Sequence, residues 1–154
     1  VNKGRITAEV NGGAITVQGS AVRNEGLLEA LGGGTLSVSN LFNSGVLNAG
    51  VGGLVSIAGP FTQAPEGALQ IGIAGAPGTE FGRINVSGLA SLDGVIRPVL
   101  FGGFIPAVSQ TLKVMTFGSR AGSFTTIEDG KVGDGVYYST SYNPTDLTLH
   151  VIAE

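Results

Sequence analysis

Apolar and polar residues alternate with a period of two over short runs along most of the chain. Ile6/Ala8, Leu28/Ala30 and Leu47/Ala49 are separated by polar or larger residues, and so are Ile15/Val17, Leu36/Val38 and Val55/Ile57. A period of two places every second side chain on one face, so these runs predict strands and not helices. Gly and Asn bound each run, which limits the strands to roughly three to six residues.

The runs recur in a fixed order. Asn2, Asn24 and Asn43 each stand two residues before a glycine, Gly4, Gly26 and Gly45. An apolar-x-Ala strand follows, then a glycine pair (Gly12-Gly13, Gly33-Gly34, Gly52-Gly53), then a second strand. A weaker fourth copy starts at Gly67, with Leu69 and Ile71 in the inward slots. Successive glycines from Gly4 to Gly67 lie 22, 19 and 22 residues apart. Glycines of ordinary hairpins in a sandwich would not need equivalents at that spacing. A fixed period near 20 signals stacked repeats.

These observations predict an all-β fold, a parallel β-helix (β-solenoid) of about 20 residues per coil. Inward Leu, Ile and Val of one coil would stack on those of the next, because one coil cannot bury its own apolar face. In this reading the glycine after Asn-x supplies positive φ at one corner, and the glycine pair makes the second corner. The asparagines tolerate left-handed backbone and are placed to form an amide ladder.

The regular pattern weakens after residue 60. Strand-like alternation persists in Leu69/Ile71/Ile73, Ile84/Val86 and Val95–Leu100. All the aromatics lie beyond residue 40, and Phe117, Phe124, Tyr137, Tyr138 and Tyr142 cluster near the C-terminus. The closing run places Leu147, Leu149 and Val151 against Thr148, His150 and Ile152. One continuous domain is expected: regular coils over 1–60, irregular coils over 61–110, and a β-rich cap over 111–154 that closes the open end of the core.

Several motifs of the second half resemble the passenger regions of bacterial autotransporters and other large surface proteins. They are Phe61-Thr62-Gln63, Gly67-Ala68-Leu69, Gly78-Thr79-Glu80-Phe81 and the run Ile84-Asn85-Val86-Ser87-Gly88-Leu89-Ala90-Ser91-Leu92-Asp93-Gly94. The later TLKVMTFGSRAGSFTTI is similar to the strand–turn–strand that follows in such proteins. The stretch Ile105–Gln110 departs from the pattern, which more often carries Gly and an acidic residue there. The resemblance implies a right-handed solenoid near the C-terminal end of an exported passenger, in a region that caps the solenoid and helps it fold.

Composition fits many short strands joined by tight turns. Of 154 residues 27 are glycine, and 12% are charged, about half the usual share. A net charge of −3 provides no basic footprint for nucleic acid. There is no cysteine, hence no disulfide. The longest charge-free run, Ala30–Pro65, is broken by polar residues too often to span a membrane.

Candidate chemistry is sparse. Glu128, Asp129 and Asp134 stand in a Gly-rich loop of a kind that can supply oxygen ligands to calcium, but their spacing matches neither an EF-hand nor a Gly-Gly-x-Gly-x-Asp repeat, and a solvated turn is the plainer reading. His150 is the sole histidine, placed on the outward side of a strand. Asp93, Arg97 and Glu80 do not repeat from coil to coil, as the line of acids in a polysaccharide-cleaving β-helix would. Asn85-Val86-Ser87 is a glycosylation sequon inside a strand. Tyr137–Tyr142 is the one aromatic cluster suited to a sugar groove, with core packing as the competing role. The sequence therefore nominates no catalytic, cofactor-binding or metal-binding residue and no cofactor.

The functional expectation is a non-catalytic structural or adhesive segment of an exported bacterial surface protein: a stalk, spacer or capping region at the extracellular face, attached to the outer membrane through other parts. Expected partners are neighbouring domains of a longer chain, further copies of itself, or a host or glycan surface through the uncharged outward positions Ser37, Ser39, Asn48 and Ser56. The alternatives are a carbohydrate-binding or carbohydrate-active module and a phage or viral fibre segment.

Overall fold

A computed structural model describes all residues, Val1–Glu154. The chain forms fifteen strands and no helix. In order they are β1 (Arg5–Ala8), β2 (Ala14–Val17), β3 (Val22–Asn24), β4 (Leu27–Ala30), β5 (Thr35–Asn43), β6 (Val46–Ala49), β7 (Leu54–Gln63), β8 (Ala68–Ile73), β9 (Arg83–Leu92), β10 (Val95–Leu100), β11 (Thr111–Gly122), β12 (Thr126–Ile127), β13 (Lys131–Gly133), β14 (Val136–Tyr142) and β15 (Asp146–Ala153). No helix is long and apolar enough to cross a membrane.

The architecture differs from the expected single right-handed β-helix with a cap. The strands form two sheets, one of six in the order β1-β4-β6-β8-β10-β12 and one of nine in the order β13-β14-β15-β11-β9-β7-β5-β2, with β3 also on β5. The six-stranded sheet is parallel throughout. The nine-stranded sheet is mixed: parallel from β2 to β11, antiparallel from β11 through β15 and β14 to β13. The expectation failed because period-two alternation reports which side chains face inward but not which strands share a sheet. It also broke the chain into short pieces, whereas β5, β7, β9 and β11 run for 9, 10, 10 and 12 residues.

From β4 to β12 the chain alternates between the sheets, so each row contributes one strand to either side. The repeat slots are brought into register. Ile6 lies beside Leu28, and Leu28 beside Leu47. Ile15 lies beside Leu36, and Leu36 beside Val55. Residues from both sheets form one continuous buried core, which contains Leu28, Leu47, Leu69 and Ile96 from one side and Leu36, Val55, Ile84 and Leu112 from the other. Each fully buried side chain of this size contributes roughly 1.5–3 kcal/mol of transfer free energy. Phe117, Phe124 and Tyr138 join the core from the C-terminal strands.

The glycines serve two purposes, divided differently from the expectation. In each pair the first member has positive φ: +73° at Gly12, +83° at Gly33 and +70° at Gly52. The second member is needed for space, since a Cβ on Gly34 or Gly53 would overlap the carbonyl of Ala8 or Ala30 in the preceding row. The glycines after Asn-x do not have positive φ. A Cβ on Gly26 would overlap the carbonyl oxygen of Gly4, and one on Gly45 that of Gly26. Close approach of one row's backbone to the next dictates glycine there, not the corner's dihedral angles.

Candidate functional site: two polar columns between rows

The in-register rows stack polar side chains as well as apolar ones. At the end of β3, β5 and β7 the slot holds Asn24, Asn43 and Gln63, with Asn2 bridged to Asn24. Asn2 Nδ2 donates to Asn24 Oδ1 at 2.8 Å, Asn24 Nδ2 to Asn43 Oδ1 at 2.8 Å, and Asn43 Nδ2 to Gln63 Oε1 at 2.9 Å. Each Nδ2 also donates to two backbone carbonyls, for example Asn24 to those of Gly26 and Val46. Asn24, Asn43 and Gln63 are buried. The ladder stops at Gln63, whose Nε2 is buried with no protein partner. Gln63 escaped the sequence reading because the fourth row opens with Gln-x-x-x-Gly in place of Asn-x-Gly. The register of β7 on β5 reveals it.

A second column crosses the outer face of the six-stranded sheet. Thr7 pairs with Glu29, Glu29 with Asn48, Asn48 with Gln70 and Gln70 with Arg97. Arg97 continues it by an ion pair to Glu128, with Nε 2.9 Å from Oε2. Glu29 is 4% exposed. Its Oε1 accepts from Arg5 Nε at 2.6 Å and Thr7 Oγ1 at 2.8 Å, and its Oε2 from Asn48 Nδ2 at 3.1 Å. Burial pushes the Glu29 carboxyl up, but the hydrogen bonds from Asn48, Thr7 and Arg5, with the Arg5 charge, more than offset it and hold the group below the usual glutamate range. A general acid needs the opposite perturbation. This carboxylate is fixed as an anion that ties three rows together.

The candidates from sequence disperse over the molecule. Glu128 is engaged by Arg97, and Asp134 lies 3.7 Å from Lys131. No three His, Asp or Glu side chains converge in metal-binding geometry. Asp93 Oδ1 accepts from the Gly94 amide at 2.7 Å in the turn between β9 and β10, while Glu80 is exposed in the turn before β9. Asn85 Oδ1 accepts from Thr116 Oγ1 at 3.0 Å on an exposed face. His150 is half-buried between the core residues Leu149 and Val151.

The tyrosines do not form one groove. Tyr138 is buried in the core, and burial pushes its hydroxyl up to about 12. Tyr142 accepts from the Phe124 amide at 3.0 Å and carries Arg120 over its ring. Tyr137 Oη approaches Glu154 Oε1 at 3.4 Å.

The uncharged positions expected on one flank lie on two. Ser37 pairs with Ser56, and Ser39 with Ala58, on the nine-stranded sheet. Asn48 belongs to the opposite sheet and is 9% exposed. Alternation alone places each side chain outward without telling which sheet it leaves.

One open groove of about 390 Å³ runs between the ends of β5, β7 and β9. Its lining includes Phe42, Thr62, Glu66, Ser91 and Asp93. Arg23 covers one face of the Phe42 ring at 4.4 Å.

Compared with known proteins, the chain matches no family model and no curated protein.

Proposed function

We propose that this chain is a non-catalytic structural and adhesive segment of an exported bacterial surface protein, a stalk, spacer or capping region displayed at the cell surface. The observation that carries the reading is the amide ladder from Asn2 to Gln63. Apart from Gln63 Nε2 and Asn48 Oδ1, which are buried without a protein partner, its polar groups join one row to the next, as do those around Glu29. Buried amides satisfied in this way specify register; they are not free to act on a substrate. The adhesive part of the reading rests on the uncharged Ser37–Ser56 pair on the nine-stranded sheet. The segment would be held at the outer membrane by other parts of a longer chain, beside that chain's neighbouring domains.

A carbohydrate-binding role is the second reading. It is favoured by the groove that joins a half-buried aromatic, two hydroxyls and two carboxylates.

Incubation with a panel of polysaccharides separates these readings from catalysis. The structural reading expects no new reducing ends and no unsaturated products. Turnover that disappears in Asp93→Asn or Glu80→Gln would overturn it. Saturable glycan binding lost on Phe42→Ala would favour the second reading. For the adhesive face, Ser37→Lys with Ser56→Lys should abolish adhesion by the displayed protein without lowering its Tm.

A further inference from the structure

The two ends of the stack are finished differently. At the C-terminal end the edges are the two-residue β12 and the three-residue β13, which begins at Lys131, an ion-pair partner of Asp134 just beyond the strand. Short, charged edge strands discourage further pairing. At the other end the edges are β1, a four-residue strand whose one charge, Arg5, is paired with Glu29 of the neighbouring strand, and β2. The β2 sequence, Ala-Ile-Thr-Val, has neither charge nor proline. Ile15 there is 38% exposed, whereas its neighbour Leu36 is fully buried.

Asn2 carries the matching polar deficit. The side-chain oxygens of Asn24 and Asn43 each accept an amide from the preceding row at 2.8 Å. Asn2 Oδ1 accepts only the nearby Gly4 N–H, at 3.2 Å. Its orientation is fixed, because Nδ2 is committed to the carbonyls of Gly4 and Leu27 as well as to Asn24. This end of the ladder therefore presents an acceptor and lacks a donor.

We propose that the β1/β2 edge is a strand-docking surface, and that its occupant is a parallel row of this chain's own repeat pattern presenting a side-chain amide to Asn2. The inference is independent of export and adhesion. Ladder polarity selects the occupant. A second copy related by a twofold axis would pair the edges antiparallel and bring acceptor against acceptor. A second copy stacked head to tail would bring up its β12/β13 end, where Leu92 follows Ser91 in the slot after Gln63 and no amide is available. A row beginning Asn-x-Gly supplies the donor, and its apolar slots cover Ile6 and Ile15.

The test adds such a row to the full chain: a duplicate of residues 24–42 fused ahead of Asn2 in place of Val1. Hydrogen exchange is followed at the edge-facing amides of β1 and β2, with the β15 amides as the control that the body is folded. A docked row slows exchange at the edge by at least about tenfold. Changing the first asparagine of the added row to aspartate removes the donor while keeping the shape, and should reverse most of that protection; glutamine there should retain it. Unchanged exchange in the fusion with β15 protected overturns the proposal. Equal protection by the aspartate variant overturns the amide's role. If the unfused chain sediments as a dimer with the same amides protected, the occupant is a second copy and the proposal fails.

Discussion

Asn24 Nδ2 donates to Asn43 Oδ1 at 2.8 Å although the residues stand 19 positions apart, and neither side chain is exposed. The bond sits midway in a ladder whose members each satisfy the next. A buried amide left unpaired costs about 1–3 kcal/mol, so rows out of register are penalised as well as rows that are missing.

Asn43→Leu should therefore destabilise the protein by about 2–4 kcal/mol, since it strips a partner from Asn24 and from Gln63 at once. Asn2→Leu, at the half-exposed end, should cost under about 1 kcal/mol. Urea unfolding of both variants checks the contrast, and equal losses would show that the ladder's interior carries no special weight.

Gly34→Ala and Gly12→Ala separate space from dihedral preference. A Cβ on Gly34 overlaps the Ala8 carbonyl, whereas one on Gly12 meets nothing within 4 Å and suffers only from the positive φ. Gly12→Ala should cost about 1–2 kcal/mol. Gly34→Ala should cost more, because backbone must move. Paired melting curves measure the difference; a reversed order would contradict the close approach of the rows.

Tyr138 buries its hydroxyl with no protein hydrogen-bond partner. Removing that oxygen takes away an unpaired polar group and leaves the ring, so Tyr138→Phe should be neutral or stabilising by up to about 1 kcal/mol. In the folded protein the Tyr138 phenol should stay protonated until pH approaches about 12, which ultraviolet titration reads directly.

Glu29 links stability to pH. Its folded-state pKa lies below the ordinary value of 4.5, so the unfolded chain takes up the proton first. The stabilisation is fully present above that ordinary value and is lost as pH falls through the folded-state pKa. Glu29→Gln should be less stable than the parent by about 1–2 kcal/mol at neutral pH, a modest figure because Arg5 is largely solvated. The gap should narrow in acid. A gap that is independent of pH would mean the carboxylate is not held as an anion.

The residues show how far the sequence could be read. The slots Ile6/Leu28/Leu47 and Ile15/Leu36/Val55 were legible because both inward alternation and a 19–22 residue offset mark them, and the registers place them side by side. The amide ladder was legible for its three asparagines. Gln63 was hidden by a changed spacing to its glycine, and the Arg97–Glu128 pair by a separation of 31 residues with no repeat to signal it. The division into two sheets was not legible, because an outward Ser56 and an outward Asn48 look alike in a period-two pattern. Nor was the antiparallel return of β15 onto β11, since alternation carries no strand direction.

Matched rows stacked in register hold this molecule together. Excision of one whole row tests this most directly. Deleting residues 24–42 brings Asn43 into the position Asn24 held, 22 residues after Asn2, and leaves every repeat slot filled. Denaturant unfolding should remain a single cooperative transition, with hydrogen-exchange protection retained in β15 and a new side-chain hydrogen bond from Asn2 Nδ2 to Asn43 Oδ1 in place of the one to Asn24. Loss of cooperative folding on removal of that one row would contradict the account.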